Sequence, residues 1–158
     1  MLELVFGLED GMVSTLGAIT GIAAATQNPF TTVLSGVVIV AVESISMAVG
    51  SYLSSKSVRA IDERKLEEER EELKLYPTEE EEELIEMYVR DGWQKAFARD
   101  MAKEAAKNKK LFLLEMALRE LRVFPEGLEN PARNAIVMGL SYVIGGVIPL
   151  FAYFFLSI

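Results

Sequence analysis

The chain has no cysteine and no histidine, which excludes disulfides, thiolate or imidazole metal sites and histidine acid–base catalysis. Whatever chemistry it performs must run on carboxylates, hydroxyls and methionine sulfur. Three groups of such residues stand out. Asp10, next to Glu9, sits at the head of an apolar run, and Glu43 and Met47 lie one helical turn apart inside another. The segment "EEEREELKLYPTEEEEELIE" concentrates carboxylates, which bind hard and borderline divalent cations well. Met116 and Glu120, again one turn apart, offer a thioether and a carboxylate to a shared ion. Each group also has a plainer reading. Asp10 can lie in a headgroup layer, Glu43 can be a protonated hydrogen-bond donor between helices, a glutamate run can be a solvated face, and a methionine among leucines can be core.

The elements that must position these residues follow from how charge is distributed. A quarter of the residues are charged, yet the mean hydropathy is positive, at +0.23. All 16 Lys and Arg fall between Lys56 and Arg133, as does every acid except Glu3, Glu9, Asp10 and Glu43. Residues 11–27 and 134–158 carry no charge, and residues 30–53 carry only Glu43. Each run is close to the roughly 20 residues that cross hydrocarbon. Three membrane helices are predicted. The first lacks a basic leader and runs straight into the second, so it reads as retained rather than as a signal peptide. The net charge of −8 argues against nucleic acid as a partner and in favour of cations.

Asn28-Pro29 marks a turn between the first two spans and makes them an antiparallel hairpin. From Phe30 to Leu75 there is no proline, and the last glycine is Gly50. Helix two is therefore expected to leave the membrane as a stalk, a rod of up to about 65–70 Å. Pro77 ends it, with Thr78 as N-cap of an acid-led helix that Gly92 interrupts. A further helix or pair is predicted over 93–123, with Phe97, Met101, Leu114, Leu118 and Leu121 on one packed face. "FPEGLENP" then breaks the pattern before the last span, which begins near Arg133. Lys56, Arg59, Arg64 and Lys65 flank the exit of helix two, and Arg119, Arg122 and Arg133 the entry of helix three, so the insert reads as cytoplasmic.

In such a hairpin Asp10 and Met47 are equally far from the turn and stand level with each other, about 28 Å from it. Glu43 is one turn deeper than Met47 on the same face, with Gly50 and Ser54 continuing that stripe. Gly7 and Gly11, Gly17 and Gly21 with Ala25, and Ser141 with Gly145 are small residues at four-residue spacing, a pattern suited to close helix packing. Three helices are too few to enclose a polar path, which favours a homodimer with helix one near its axis.

With these residues in place, "DGMVSTLGAITG", "SISMAVGSYLS", the stalk, "PTEEEEELIEMY" and "GLSYVIGGVIPLFAYFF" together resemble the vacuolar iron transporter family of proton-coupled Fe2+ and Mn2+ exporters. The resemblance spans nearly the whole chain in the family's order. It implies a homodimer in the lipid bilayer, an ion path between the two copies of helix one, and a cytoplasmic bundle that collects ions. The family's membrane Asp and Met match Asp10 and Met47. Its bundle acids match Glu69, Glu72, Glu80 and Glu83, with Glu68, Glu71, Glu79 and Glu82 satisfying the same spacing one residue earlier. Its closing Met and Glu match Met116 and Glu120, while Ala117 stands where the family often has a second Met. Family members commonly have five membrane helices, so the resemblance implies that this sequence lacks the last two.

The expected fold is an all-α membrane protein. Its three transmembrane helices (residues 1–54 for the first two, 131–158 for the third) flank a cytoplasmic Glu-rich metal-binding domain over 55–130. The expected function is not enzymatic: Fe2+ or Mn2+ leaves the cytosol in exchange for protons. Asp10, Met47 and Glu43 line the path, and Asp10 and then Glu43 carry the proton. No permanently bound cofactor is expected. The alternative is a membrane-anchored metal buffer or scaffold without transport. A ferritin-like oxidase is disfavoured because its Glu-x-x-His pairs cannot be made.

Overall fold

The same device starts two of the longest helices. In Asn28-Pro29 and Asn130-Pro131 the asparagine side chain accepts a backbone N–H three residues on, from Thr31 at 3.1 Å and from Arg133 at 3.1 Å. Proline follows at the first helical position, where its missing N–H costs nothing. The structure, a computed structural model, describes residues 1–155. It is all-α, with no strand among the described residues.

The elements are α1 (Leu2–Thr26), α2 (Pro29–Leu75), α3 (Pro77–Arg90), α4 (Lys95–Ala106), α5 (Lys109–Met116) and α6 (Pro131–Phe155). A π turn over Ala117–Leu121 extends α5, and a short 3-10 turn covers Pro125–Gly127. α1 stops where Gln27 takes a left-handed conformation, φ 51°, and returns its N–H to Ala23. α2 runs unbroken for 47 residues. Both α2 and α6 are long and apolar enough to cross a membrane. α1 matches α6 in length but carries Glu3, Glu9 and Asp10. Residues 156–158 of the predicted third span lie outside the described residues.

The chain divides into two compact units, Met1–Ser57 with Asn130–Ile158, and Val58–Glu129. In the first, α1 packs against α6 backbone to backbone. A Cβ on Gly11 would strike the carbonyl of Tyr142, one on Gly145 the carbonyl of Leu8, and one on Gly7 would sit 2.7 Å from the carbonyl of Met138. The small residues Gly7, Gly11 and Gly145 therefore serve contact within the chain. Gly17 and Gly21 do not, for a Cβ on either meets nothing among the described residues. Ile19 of α1 meets Gly36 of α2 and shares a buried cluster with Val40 and Leu150. The Asn134 amide donates to Ser55 Oγ at 2.9 Å, tying α6 to α2.

In the second unit the core is Leu84, Ile85, Met87 and Tyr88 of α3, Ala98, Ala102 and Ala105 of α4, and Phe112 and Met116 of α5. Two sequence expectations are corrected here. Phe97 is 53% exposed and stacks near Trp93 with ring centroids 5.5 Å apart. α4 turns its alanines inward, and Phe97, one residue from Ala98, is rotated about 100° off that face. Thr78 is not the N-cap of α3. That position is Tyr76, because Pro77 takes the first helical position two residues earlier than expected. Gly92 interrupts as predicted, with φ +102°.

Candidate metal-binding site

Three carboxylates from distant parts of the sequence meet in the second unit. Glu69 comes from α2, Glu80 from the first turn of α3, and Glu120 from the π turn after α5. One carboxylate oxygen from each lies within 4.8 Å of the others. Metal–oxygen bonds of roughly 2.0–2.6 Å put ligands on opposite sides of one ion about 4–5 Å apart, so the spacing fits a single shared cation.

Burial makes the arrangement costly without one. Glu69 is 1% exposed and Glu80 8%, and Glu69 Oε1 and Glu80 Oε2 have no hydrogen-bond partner among the described residues. Buried polar atoms normally find partners, and a buried charge needs an opposite one. The acids respond by holding protons. Burial, then repulsion from Glu120 and Glu80, pushes Glu69 up to about 8. Burial, then the charges of Glu83 and Glu120, pushes Glu80 up to about 7. Glu120 is exposed at the edge of the cluster, and its carboxyl is raised as well, by partial desolvation first and by Glu83 next. Protonated Glu69 donates toward Glu120, which favours the charged form of Glu120. A dication would replace those protons and satisfy the bare oxygens together.

Of the six bundle residues suggested by sequence, the structure brings together Glu69, Glu80 and Glu120. Glu72 and Glu83 are exposed, yet their charges are felt within the cluster. Met116 is fully buried and belongs to the apolar core. In the neighbouring register Glu68 is exposed and paired with Arg64 at 2.8 Å, and Glu71, Glu79 and Glu82 are exposed. Glu83 and Glu120 also line an open cleft of about 620 Å³.

Sequence reasoning missed what holds Glu120 in place. The Tyr88 hydroxyl donates to Glu115 Oε2 at 3.0 Å, and Arg119 Nε donates to the same oxygen at 3.0 Å. The Arg119 guanidinium also pairs with Asp91 and lies 4.5 Å from the Tyr88 ring centroid. Burial, and then the bond to Glu115, pushes the Tyr88 phenol up to about 12. This network pins the residue just before Glu120 to α3. Only the Glu115–Arg119 step, four residues apart on one helix, had a local signal.

In the first unit, Asp10 is half-buried and accepts the Ser14 hydroxyl at 2.8 Å. Met47 is half-buried and Glu43 exposed. Two further hydroxyls, Thr15 Oγ1 and Tyr142 OH, are buried with no hydrogen-bond partner among the described residues. Neither was singled out from sequence, and nothing in the spacing marks them.

A family model described as "VIT family" matches residues 1–158. A protein of Centaurea cyanus named vacuolar iron transporter is 30% identical over 161 residues, covering 99% of this chain and 64% of its own length. Vacuolar iron transporter 1 of Tulipa gesneriana is 30% identical over 159 residues, covering 98% of the chain and 62% of its own length. The vacuolar iron transporter of Plasmodium falciparum is 29% identical over 153 residues, covering 95% and 56%. The chain thus spans less than two-thirds of the length of each.

Proposed function

Because this chain belongs to the VIT family, we propose that it moves a divalent transition metal, Fe2+ or Mn2+, out of the cytosol in exchange for protons. The observation that carries the reading is the cluster of Glu69, Glu80 and Glu120, two of them buried with bare oxygens and elevated proton affinity. Such a site takes up a cation by giving up protons. On this reading α1, α2 and α6 are three membrane spans of an integral membrane protein, and the unit over 58–129 is cytoplasmic, as its basic flanks favour. That unit captures the substrate ion through the three carboxylates, with Glu72 and Glu83 adding negative charge nearby.

Asp10 and Met47 then receive the ion in the membrane unit, and the thioether favours Fe2+ over Mg2+ or Ca2+. Asp10, with Glu43 second, carries the proton, because a bound cation and a proton compete for one carboxylate. The path lies at a homodimer interface on the face of α1 that carries Gly17 and Gly21, where an added Cβ meets nothing among the described residues. Fe2+ flux into proteoliposomes under an imposed pH gradient tests this. Asp10→Ala should lose flux while calorimetric Fe2+ binding to the glutamate cluster persists. Equal flux in variant and parent would reject the path through Asp10. Binding without flux in the parent would leave a metal buffer or scaffold as the function.

A further inference from the structure

A second cleft in the 58–129 unit has the opposite chemistry to the glutamate cluster. It measures about 690 Å³, within the range of pockets that hold small molecules. Leu73 of α2 with Phe112 and Leu113 of α5 make an apolar wall, and Lys74, Lys109 and Lys110 stand around it. Among the described residues none of these three ammonium groups is in an ion pair. Arg70, also in the lining, is already paired with Glu67, and Glu81 is the one acid of the lining. The chain has net charge −8, so acids are plentiful, yet this cleft is lined by three lysines outside any ion pair against the single acid Glu81. The lining therefore carries an excess of positive charge that a bound anion balances.

We propose that this cleft binds a phosphate monoester carried on an apolar body. A phosphate monoester has a charge of about −1.5 to −2 at pH 7 and three strong acceptor oxygens. Three mobile ammonium groups match that head better than they match a single carboxylate. The Leu73, Phe112 and Leu113 wall takes the apolar body. The Asn108 side chain already accepts the N–H groups of Lys110 and Leu111, so the phosphate is held by lysine side chains rather than by those two amides at the start of α5. Glu81 opposes the anion and limits its affinity.

The test is titration of the full chain, in phosphatidylcholine nanodiscs, with 1-naphthyl phosphate followed by its fluorescence against empty discs. Saturable binding is expected, at least about tenfold tighter than binding of inorganic phosphate or 1-naphthol, because head and body each contribute. Lys74→Gln with Lys110→Gln should weaken it by about tenfold or more. Glu81→Gln should tighten it, an effect that a folding defect cannot mimic. Equal affinity for 1-naphthol and its phosphate, or affinity unchanged in both variants, would overturn the proposal. Replacing part of the phosphatidylcholine by phosphatidic acid separates the sources. Displacement of the probe supports a lipid phosphate in the site, and retained binding supports a soluble ester.

Discussion

Metal binding by the second unit should depend steeply on pH, and the size of the effect follows from the protons held by Glu69 and Glu80. With Glu69 at about 8 and Glu80 at about 7, both are protonated at pH 6 and must lose those protons to bind an ion. Competition at Glu69 lowers the affinity about 100-fold at pH 6 and at Glu80 about tenfold, against only about twofold in all at pH 8. Affinity should therefore fall by two to three orders of magnitude, about 3–4 kcal/mol, between pH 8 and pH 6. Calorimetry with Mn2+ in two buffers of different ionisation enthalpy reads the linked protons directly. About two are expected per ion at pH 6 and fewer than one at pH 8. Glu69→Gln should cost at least about tenfold in affinity and lower the proton count at pH 6 by about one. Affinity that is flat from pH 6 to 8, with no buffer-dependent heat, would refute the assignment of these acids as a shared site.

The same protons govern stability without metal. A carboxyl whose folded pKa is raised binds its proton more tightly folded than unfolded. Its contribution is present below about pH 4.5 and is lost as the pH climbs through about 7 for Glu80 and about 8 for Glu69. Melting of the metal-free protein should accordingly shift downward between pH 5 and 8.5, and Glu69→Gln should flatten that shift. Gly145→Ala should destabilise the first unit by about 2 kcal/mol or more, because the new methyl meets the Leu8 carbonyl, whereas Gly17→Leu should abolish cross-linking of the proposed homodimer. A Gly17→Leu protein that still dimerises would remove the α1 face from the interface. Tyr88→Phe should cost about 1 kcal/mol in thermal melting through loss of the bond to Glu115. A larger loss of Mn2+ affinity than of stability would show that this network places Glu120.

How much of this was legible in the sequence depended on range. The break at Asn28-Pro29, the unbroken run to Leu75 and the start at Pro131 are local punctuation, and the helices follow it. The acidic register was legible as a pattern in which Glu69 and Glu80 stand either side of Pro77, and burial then separates them from Glu68 and Glu79. Phe97 was misread because hydrophobicity alone favoured it, whereas close packing on α4 selects the small residues Ala98, Ala102 and Ala105. The π turn at Ala117–Leu121 and the reach of Tyr88 to Glu115 are tertiary facts. Helical periodicity carries no trace of either. The roles of the glycines also divided only in three dimensions, since Gly11 and Gly17 share the same composition and neighbourhood but one meets a carbonyl and the other open space.

Charge balance explains why protons rather than lysines neutralise the Glu69 cluster. A lysine placed among these carboxylates would stabilise the empty site permanently, and an arriving ion would then have to displace a tethered cation. Protons neutralise the buried oxygens equally well and leave freely. If two protons leave as one dication enters, the net charge of the buried region is unchanged, so neither state pays for an uncompensated charge in a poorly solvated place. The site is then switched by pH over the interval set by Glu80 and Glu69, about 7 to 8. Near-neutral pH is where small changes in proton activity would move the ion on or off. A Glu80→Gln protein tests the balance. It keeps Glu69 and Glu120, and should retain a weaker site that releases about one proton at pH 6 instead of two. Release of two protons from that variant would mean that the exchange runs through a carboxylate other than Glu80.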